Sequence, residues 1–359
     1  MRDRIKLLTD KILEKNLDAI FLGKTANVQY MSGFTGTESF ILFTPAKKYF
    51  ITDSRYTEQA EKECTGYQVV RWGKNSSPLT DTLDEVVREA GLERIGFEKD
   101  HVTYEMYQKL NDNVDGVHWI PVKGMVEDLR YIKDENEIEK IRRAAGYADR
   151  AFTGILEIIR PGLSEKELAL ELEYLLRKAG ADDAGFKTIL VSGVNTSLPH
   201  GIPSDKKVEA GDFITMDFGG LCSGYRSDMT RTIVVGKADD KQKEYYQILK
   251  EAQEMGLKYI KAGTKAAEAD TYAREQLQKY EVADKFGHGL GHGVGLEIHE
   301  EPYMKKSSKK VLEAGCVVTV EPGIYFPGWG GIRIEDTVVI REDGIEILTG
   351  SDKELIELN

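Results

Sequence analysis

GHGLGHGVGLEIHEEP, residues 287–302, holds three of the chain's six histidines: His288, His292 and His299. Laid out as an extended strand, His288, Leu290, His292, Val294 and Leu296 share one face, and glycines 287, 289, 291, 293 and 295 fill the other. A face bare of side chains lets another backbone or a ligand come close. His292 and His299 are an odd number of residues apart and would point opposite ways on a straight strand. The segment must therefore bend if both serve one site. A lone histidine is ordinarily a hydrogen-bonded core residue, but three this dense ask for a ligand.

Acidic residues sit where apolar ones belong. DFITMDFGGLCSGYRSDMTRTIVVG (212–236) reads as two strands around a Gly-Ser turn, with Asp217 inside the first and Asp228 roughly opposite it at the start of the second. GCVVTVEPGIYF ends an apolar strand on Glu321, and GIRIEDTVVI carries Glu335 inside another, with PGWGG between them. Like charges across an antiparallel pair repel, and buried unpaired carboxylates are costly. Any one of these acids reads as a salt bridge or a solvated strand end. Four, in two similar hairpins beside clustered histidines, point to bound cations.

The rest of the chain sets the frame. It has 359 residues, 41% hydrophobic and 31% charged, which suits a globular protein of about two domains. A net charge of -12 opposes a sequence-independent grip on nucleic acid or an anionic membrane surface. No apolar run approaches the ~18 residues of a membrane span. MRDRIKLLTDKILEKN reads as an amphipathic helix, not a signal peptide. Three scattered cysteines without C-x-x-C suit a reducing cytoplasm.

LDAIFLG, SFILFTP, KYFITD and YQVVRW read as strands, and DSRYTEQAEKE and LTDTLDEVVREAG as helices, giving a small α/β domain over residues 1–125. A second domain, 126–359, opens with a long amphipathic helix and runs helix, helix, strands, helix, helix, strands, a weak internal duplication. The change of pattern falls between residues 122 and 133. Other motifs fail on context. HEEPY lacks the second histidine of H-E-x-x-H, and Asp217-Phe218-Gly219 has no kinase companions. The glycines form no phosphate-binding signature.

Taken in order, TMDFG, YRSDMTRT, HGLGHGVGLEIHEEP, VTVEPGIY and GIRIEDTVVI resemble the motifs of the pita-bread metallopeptidases. That family includes methionine aminopeptidase, Xaa-Pro aminopeptidase and Xaa-Pro dipeptidase (prolidase). The N-terminal domain, with ITDSRYTEQA, resembles the extra domain of the proline-directed members and of creatinase. The resemblance implies an α+β fold, a pita-bread catalytic domain preceded by the smaller α/β domain. It implies two divalent ions per chain, Mn first with Co, Fe or Zn as alternatives, held by Asp217, Asp228, His292, Glu321 and Glu335. Asp228 and Glu335 would bridge the pair. A four-carboxylate, one-imidazole set suits such hard ions. His200 (SLPHGIPSD) and His299 match the histidines that meet the substrate, and Glu321 would also carry the proton. His288, Arg333 and Tyr225 complete the expected lining. The activity implied is release of the first residue from short peptides with proline second, as Xaa-Pro aminopeptidase or alternatively as Xaa-Pro dipeptidase, in a cytoplasmic homodimer. A metal-free creatinase-like hydrolase or a catalytically dead peptide-binding module would be expected to have lost ligands, and none of the five is missing.

Overall fold

The computed structural model describes residues 3–73 and 78–358. They fall into two compact units, Arg2–Arg130 and Tyr131–Asn359, and among them no helix is long and apolar enough to cross a membrane.

In the first unit, β-branched and aromatic runs become a six-stranded mixed sheet. Its order is Gln68–Arg71, Lys48–Thr52, Phe40–Phe43, Ala19–Leu22, Arg94–Glu98, His118–Val122. Ala19–Leu22 is buried along its whole length, as an inner strand covered on both faces must be. The apolar stripe Leu83, Val86 and Val87 turns the helix Leu79–Ala90 onto that sheet, and Gly91 ends the helix at φ +62°. The helix expected from DSRYTEQAEKE starts only at Thr57, because the Asp53 carboxylate accepts the Arg55 N–H (2.8 Å) and makes a turn first. The short helix Glu127–Arg130, beyond the expected division at 125/126, is bonded into this unit. Leu129 O accepts from the Tyr30 hydroxyl (3.0 Å), and Arg130 donates to Asn27 Oδ1 (2.7 Å).

The second unit is built twice over. Helices Glu135–Leu156 and Glu165–Lys178 pack on a sheet ordered Glu357–Leu358, Met229–Val235, Phe213–Phe218, Ile189–Ser192. Helices Asp240–Tyr259 and Ala266–Gln278 pack on another, ordered Glu300–Met304, Gly291–Gly293, Val317–Val320, Asp336–Arg341, Gly344–Ile347. Three of these helices start in capping boxes, Asp134/Glu137, Ser164/Glu167 and Asp239/Gln242, legible as S/D-x-x-E/Q.

Strand periodicity then sorts the side chains. Ile214, Met216, Phe218, Met229 and Ile233 face the first helix pair, while Val318, Val320, Val338 and Ile340 face the second. The alternate positions, Thr215, Asp217, Thr230 and Thr232 in one sheet and Thr319, Glu321, Glu335 and Thr337 in the other, point away from their own helices. Both sets of acids are thus aimed at the space between the halves.

Candidate metal centre

The two hairpins hold their acids differently. In the first, Asp217 pairs with Thr230, not Asp228. The turn at Ser223–Gly224 sets this register, which Cys222–Tyr225 and Leu221–Arg226 at the tip share, so Thr230 and not Asp228, two residues away, meets Asp217. A shift of two preserves the face, so Asp228 lies diagonal to Asp217 and on the same side. In the second hairpin, Val320 pairs with Asp336 and Gly323 with Arg333, which leaves Glu321 across from Glu335 in the gap between two ladders. There the Glu335 N–H goes to Thr230 O of the other sheet (3.1 Å), and the Glu321 N–H to Leu290 O (2.8 Å). The ladder opens where the acids stand.

The glycine-rich segment is a strand only over Gly291–Gly293, and then turns through residues 294–299. A Cβ on Gly291 would lie 2.0 Å from Thr319 O, and one on Gly293 2.3 Å from Glu301 O. The bare face is filled by neighbouring backbone, and only glycine permits that approach. Helix Ala266–Gln278 grips the segment's start. Asp270 accepts the Leu290 N–H (3.0 Å), and Arg274 donates to Phe286 O (2.8 Å) and to His288 O. The turn supplies the expected bend and brings the His292 and His299 rings to 4.3 Å between centroids.

Asp228, His292 and Glu335, all buried, offer ligand atoms within 4.8 Å of one another. His292 Nε2 is 3.6 Å from Asp228 Oδ2 and 3.3 Å from Glu321 Oε1. Its Nδ1 lies 3.1 Å from Gly293 O, which can only accept, so Nδ1 carries the hydrogen and Nε2 presents a lone pair to the acids. Burial pushes the His292 pKa down to about 4, so the ring is neutral and ready to ligate. Burial, then the charges of Glu335, Asp217 and Glu321, hold Asp228 well above the usual carboxylate range. Glu335 is raised by burial and then by Glu321 and Asp217, and burial lifts Glu321 to about 8. Among the described residues, Asp217 Oδ1 and Asp228 Oδ1 are buried without a hydrogen-bond partner. Crowded acids, two partnerless oxygens and a neutral imidazole fit divalent cations.

Arg333 braces this cluster. It donates to Asp217 Oδ2 (2.7 Å), Thr230 Oγ1 (2.9 Å), the Tyr325 hydroxyl (2.9 Å) and Pro199 O (3.2 Å). Thr230 in turn donates to Glu335 Oε2 (2.6 Å). With these bonds to protein groups, Arg333 orients ligands more than substrate. His288 donates from Nδ1 to Gly289 O (2.9 Å) and accepts the Tyr325 hydroxyl at Nε2 (3.0 Å).

Tyr325, which sequence reasoning missed, braces the site from behind through Arg333 and His288. The tyrosine that such reasoning named, Tyr225, is a correction: its hydroxyl donates to Glu137 (2.7 Å), buried against helix Glu135–Leu156 and not lining the cavity. The cavity over the cluster has a volume of about 650 Å³, with Asp217, Asp228, His292, Glu321, Glu335 and Arg333 in its wall. His200, His288 and His299 line it too. His200 comes from the loop after the turn Gly193–Ser197, and its ring is exposed to solvent.

Residues 139–342 match the model of metallopeptidase family M24, and residues 4–132 that of the creatinase/prolidase N-terminal domain. The chain belongs to metallopeptidase family M24. Its fold is the pita-bread catalytic domain of that family behind a creatinase-type N-terminal domain. An Xaa-Pro dipeptidase of Pyrococcus furiosus is 38% identical, with 99% of this chain and 100% of the relative aligned. The structure of an Xaa-Pro dipeptidase from Bacillus anthracis superposes with a TM-score of 0.96 at 45% identity, covering 99% of each chain. An X-Pro aminopeptidase from Thermotoga maritima gives a TM-score of 0.91 at 39% identity, covering 99% of this chain and 100% of that one.

For this M24 metallopeptidase the geometry separates two kinds of histidine. His292→Ala is expected to lose metal. His200 and His299 are exposed in the cavity wall and outside the acid cluster. His200→Ala and His299→Ala should therefore keep the metal and lose kcat by roughly 10²–10³, the loss expected of groups that donate to a substrate carbonyl. Metal content measured beside kcat checks this, and equal metal loss in all three would redraw the site.

Proposed function

We propose that this M24 enzyme is an Xaa-Pro dipeptidase, releasing the first residue of dipeptides with proline second. The observation that carries the peptidase reading is the gathering of Asp217, Asp228, His292, Glu321 and Glu335 under one cavity, with two buried carboxylate oxygens left for cations. The sequence alone favoured Xaa-Pro aminopeptidase. Full-length likeness to proteins named Xaa-Pro dipeptidase supports the narrower substrate instead. So do Lys187 and Lys305, exposed lysines in the wall of the same cavity whose ammonium groups can meet a carboxylate there. A dipeptide carries a carboxylate one residue from its scissile carbonyl, whereas a longer peptide has an amide there. The aminopeptidase is the second reading, on the Thermotoga maritima neighbour.

Asp228 and Glu335 would hold two ions jointly, with Asp217 on one and His292 and Glu321 on the other. Such ions, when bound, supply Lewis acidity and a water of lowered pKa. The remaining work falls to side chains. His200 and His299 donate hydrogen bonds to the substrate carbonyl, and these strengthen as its oxygen gains charge. A prolyl nitrogen has no hydrogen of its own and leaves only when protonated. Glu321 takes a proton from the attacking water and returns it to that nitrogen. Arg333, fixed by Thr230 and Tyr325, keeps Asp217 turned toward the ions. Mn as the metal suits the oxygen-rich donors. A cytoplasmic setting suits three free, buried cysteines. The homodimer rests on the family resemblance.

A cleavage panel with added Mn tests the reading. Xaa-Pro should be hydrolysed at least about tenfold faster than Xaa-Pro-Xaa, Met-Ala-Xaa should be poor, and N-acetylated peptides should be inert. Preference for the tripeptide moves the enzyme to the aminopeptidase reading, and cleavage of acetylated peptides removes the exopeptidase assignment.

A further inference from the structure

A buried ion pair stands directly behind His299. Lys133 Nζ lies 2.7 Å from Glu300 Oε1, and only 1% and 8% of the two side chains are exposed. Glu300 follows His299 in the chain and pairs with Gly293 of the strand that carries His292. The turn through residues 294–299 is packed against the pair. A Cβ on Gly295 would sit 2.3 Å from Glu300 Oε1 and 3.1 Å from Lys133 Cε, so this turn position is bare because the ion pair occupies the space. Arg226 ties the same turn to other parts of the fold. Its backbone N–H donates to Gly295 O (2.9 Å), and its guanidinium to Leu296 O and to Gly185 O (2.7 Å). The Lys133 N–H is itself bonded to Gly315 O (2.9 Å).

Burying opposite charges gains little net stability, because desolvation offsets their attraction, and a well-packed apolar pair often serves the fold as well. What confines this pair is its packing, both side chains being buried and Gly295 bare where they lie. Here the group that depends on that packing is His299, open to the cavity while its neighbour Glu300 is locked.

We propose that Lys133 and Glu300 are positioning residues for His299, holding the turn in the conformation that aims the imidazole at the substrate carbonyl. The inference rests on the proposed role of His299 beside the substrate, and neither residue touches the substrate itself.

The double variant K133M/E300Q removes both charges at similar volume and strands neither. In full-length, Mn-loaded protein it should keep wild-type metal content and melting temperature. Its kcat should fall about tenfold or more, within the range typical for supporting residues, with KM changed less than about twofold. In an H299A background the same two substitutions should add less than about a twofold loss, since they act through a group already gone. K133R, which preserves the pair, should retain most of kcat. Wild-type kcat in the double variant overturns the proposal, as do equal losses in the two backgrounds. Early melting or metal loss overturns it too, since the pair would then be a fold staple. A readout free of turnover separates this from the function reading. In ¹³C-histidine-labelled protein, the His299 resonance, assigned by its absence from H299A, should shift or broaden in K133M/E300Q while the other imidazole signals stay put. An unmoved His299 signal overturns the positioning role even if the peptide panel succeeds. A moved signal sustains it even if no prolyl peptide is cut.

Discussion

Asp228→Asn or Glu335→Gln should leave a folded protein without tightly held metal and with kcat lower by roughly a thousandfold or more. Losing an outer hydrogen-bonding partner alone typically costs about 10–100-fold, and these two residues stand at the centre of the ligand set. Neither has a ready substitute, since His292 and Glu321 are already turned into the same cluster. The metal-free variants should be more stable than metal-free wild type above pH 8. Burial and neighbouring charge raise both carboxyls in the native state, so at high pH the wild type carries a crowded set of anions that an amide relieves. Metal analysis, kcat at saturating Mn and melting curves at pH 5 and pH 9 check the three parts. Full activity at limiting metal would show the ligand assignment to be wrong.

Chelation should abolish activity, Mn or Co should restore it, and the restoration should release protons. Glu321 titrates near 8 in the metal-free site against an ordinary value of 4.5, and Asp228 and Glu335 move the same way. Between these limits the native apo protein binds protons that the unfolded chain has lost. The cluster's contribution to apo stability is therefore full below about pH 4.5 and declines as pH rises toward 8. Cations bind the ionised carboxylates, so uptake near pH 6.5 should expel about one or more protons per chain. Apparent affinity should climb with pH and level off above 8. Titration of apo protein with Mn in weak buffer measures this directly. Uptake without proton release would mean that the acids are already ionised in the empty site.

The chemistry of the site was legible because it breaks local rules. Asp217, Glu321 and Glu335 interrupt apolar strand patterns, and glycine alternates through residues 287–295. Both oddities survive into the structure as acids on inner sheet faces and as backbone packed against Gly291 and Gly293. The first hairpin's pairing differs from the sequence expectation because the turn is centred one residue later, on Ser223–Gly224, which puts Cys222 against Tyr225 and Asp217 against Thr230. Tyr225 and Tyr325 both lie four residues or fewer from an acidic ligand, so spacing could not choose between them. Their partners, Glu137 for one and Arg333 with His288 for the other, come from distant segments. Lys133 was invisible for the same reason: its meaning depends on Glu300, far along the chain.

The doubling of the catalytic unit has a consequence for how the protein assembles. Asp217 and Asp228 belong to one repeat, and His292, Glu321 and Glu335 to the other. Neither repeat owns a complete coordination set. On the proposed ligand set, a cation pair is fully held once the two repeats have docked, so its binding energy favours their union. The ion is in that sense a rivet. A chain split in the loop before Asp240 would be expected to rejoin more firmly with Mn than without it, and metal affinity would then report quaternary repair of a broken tertiary fold.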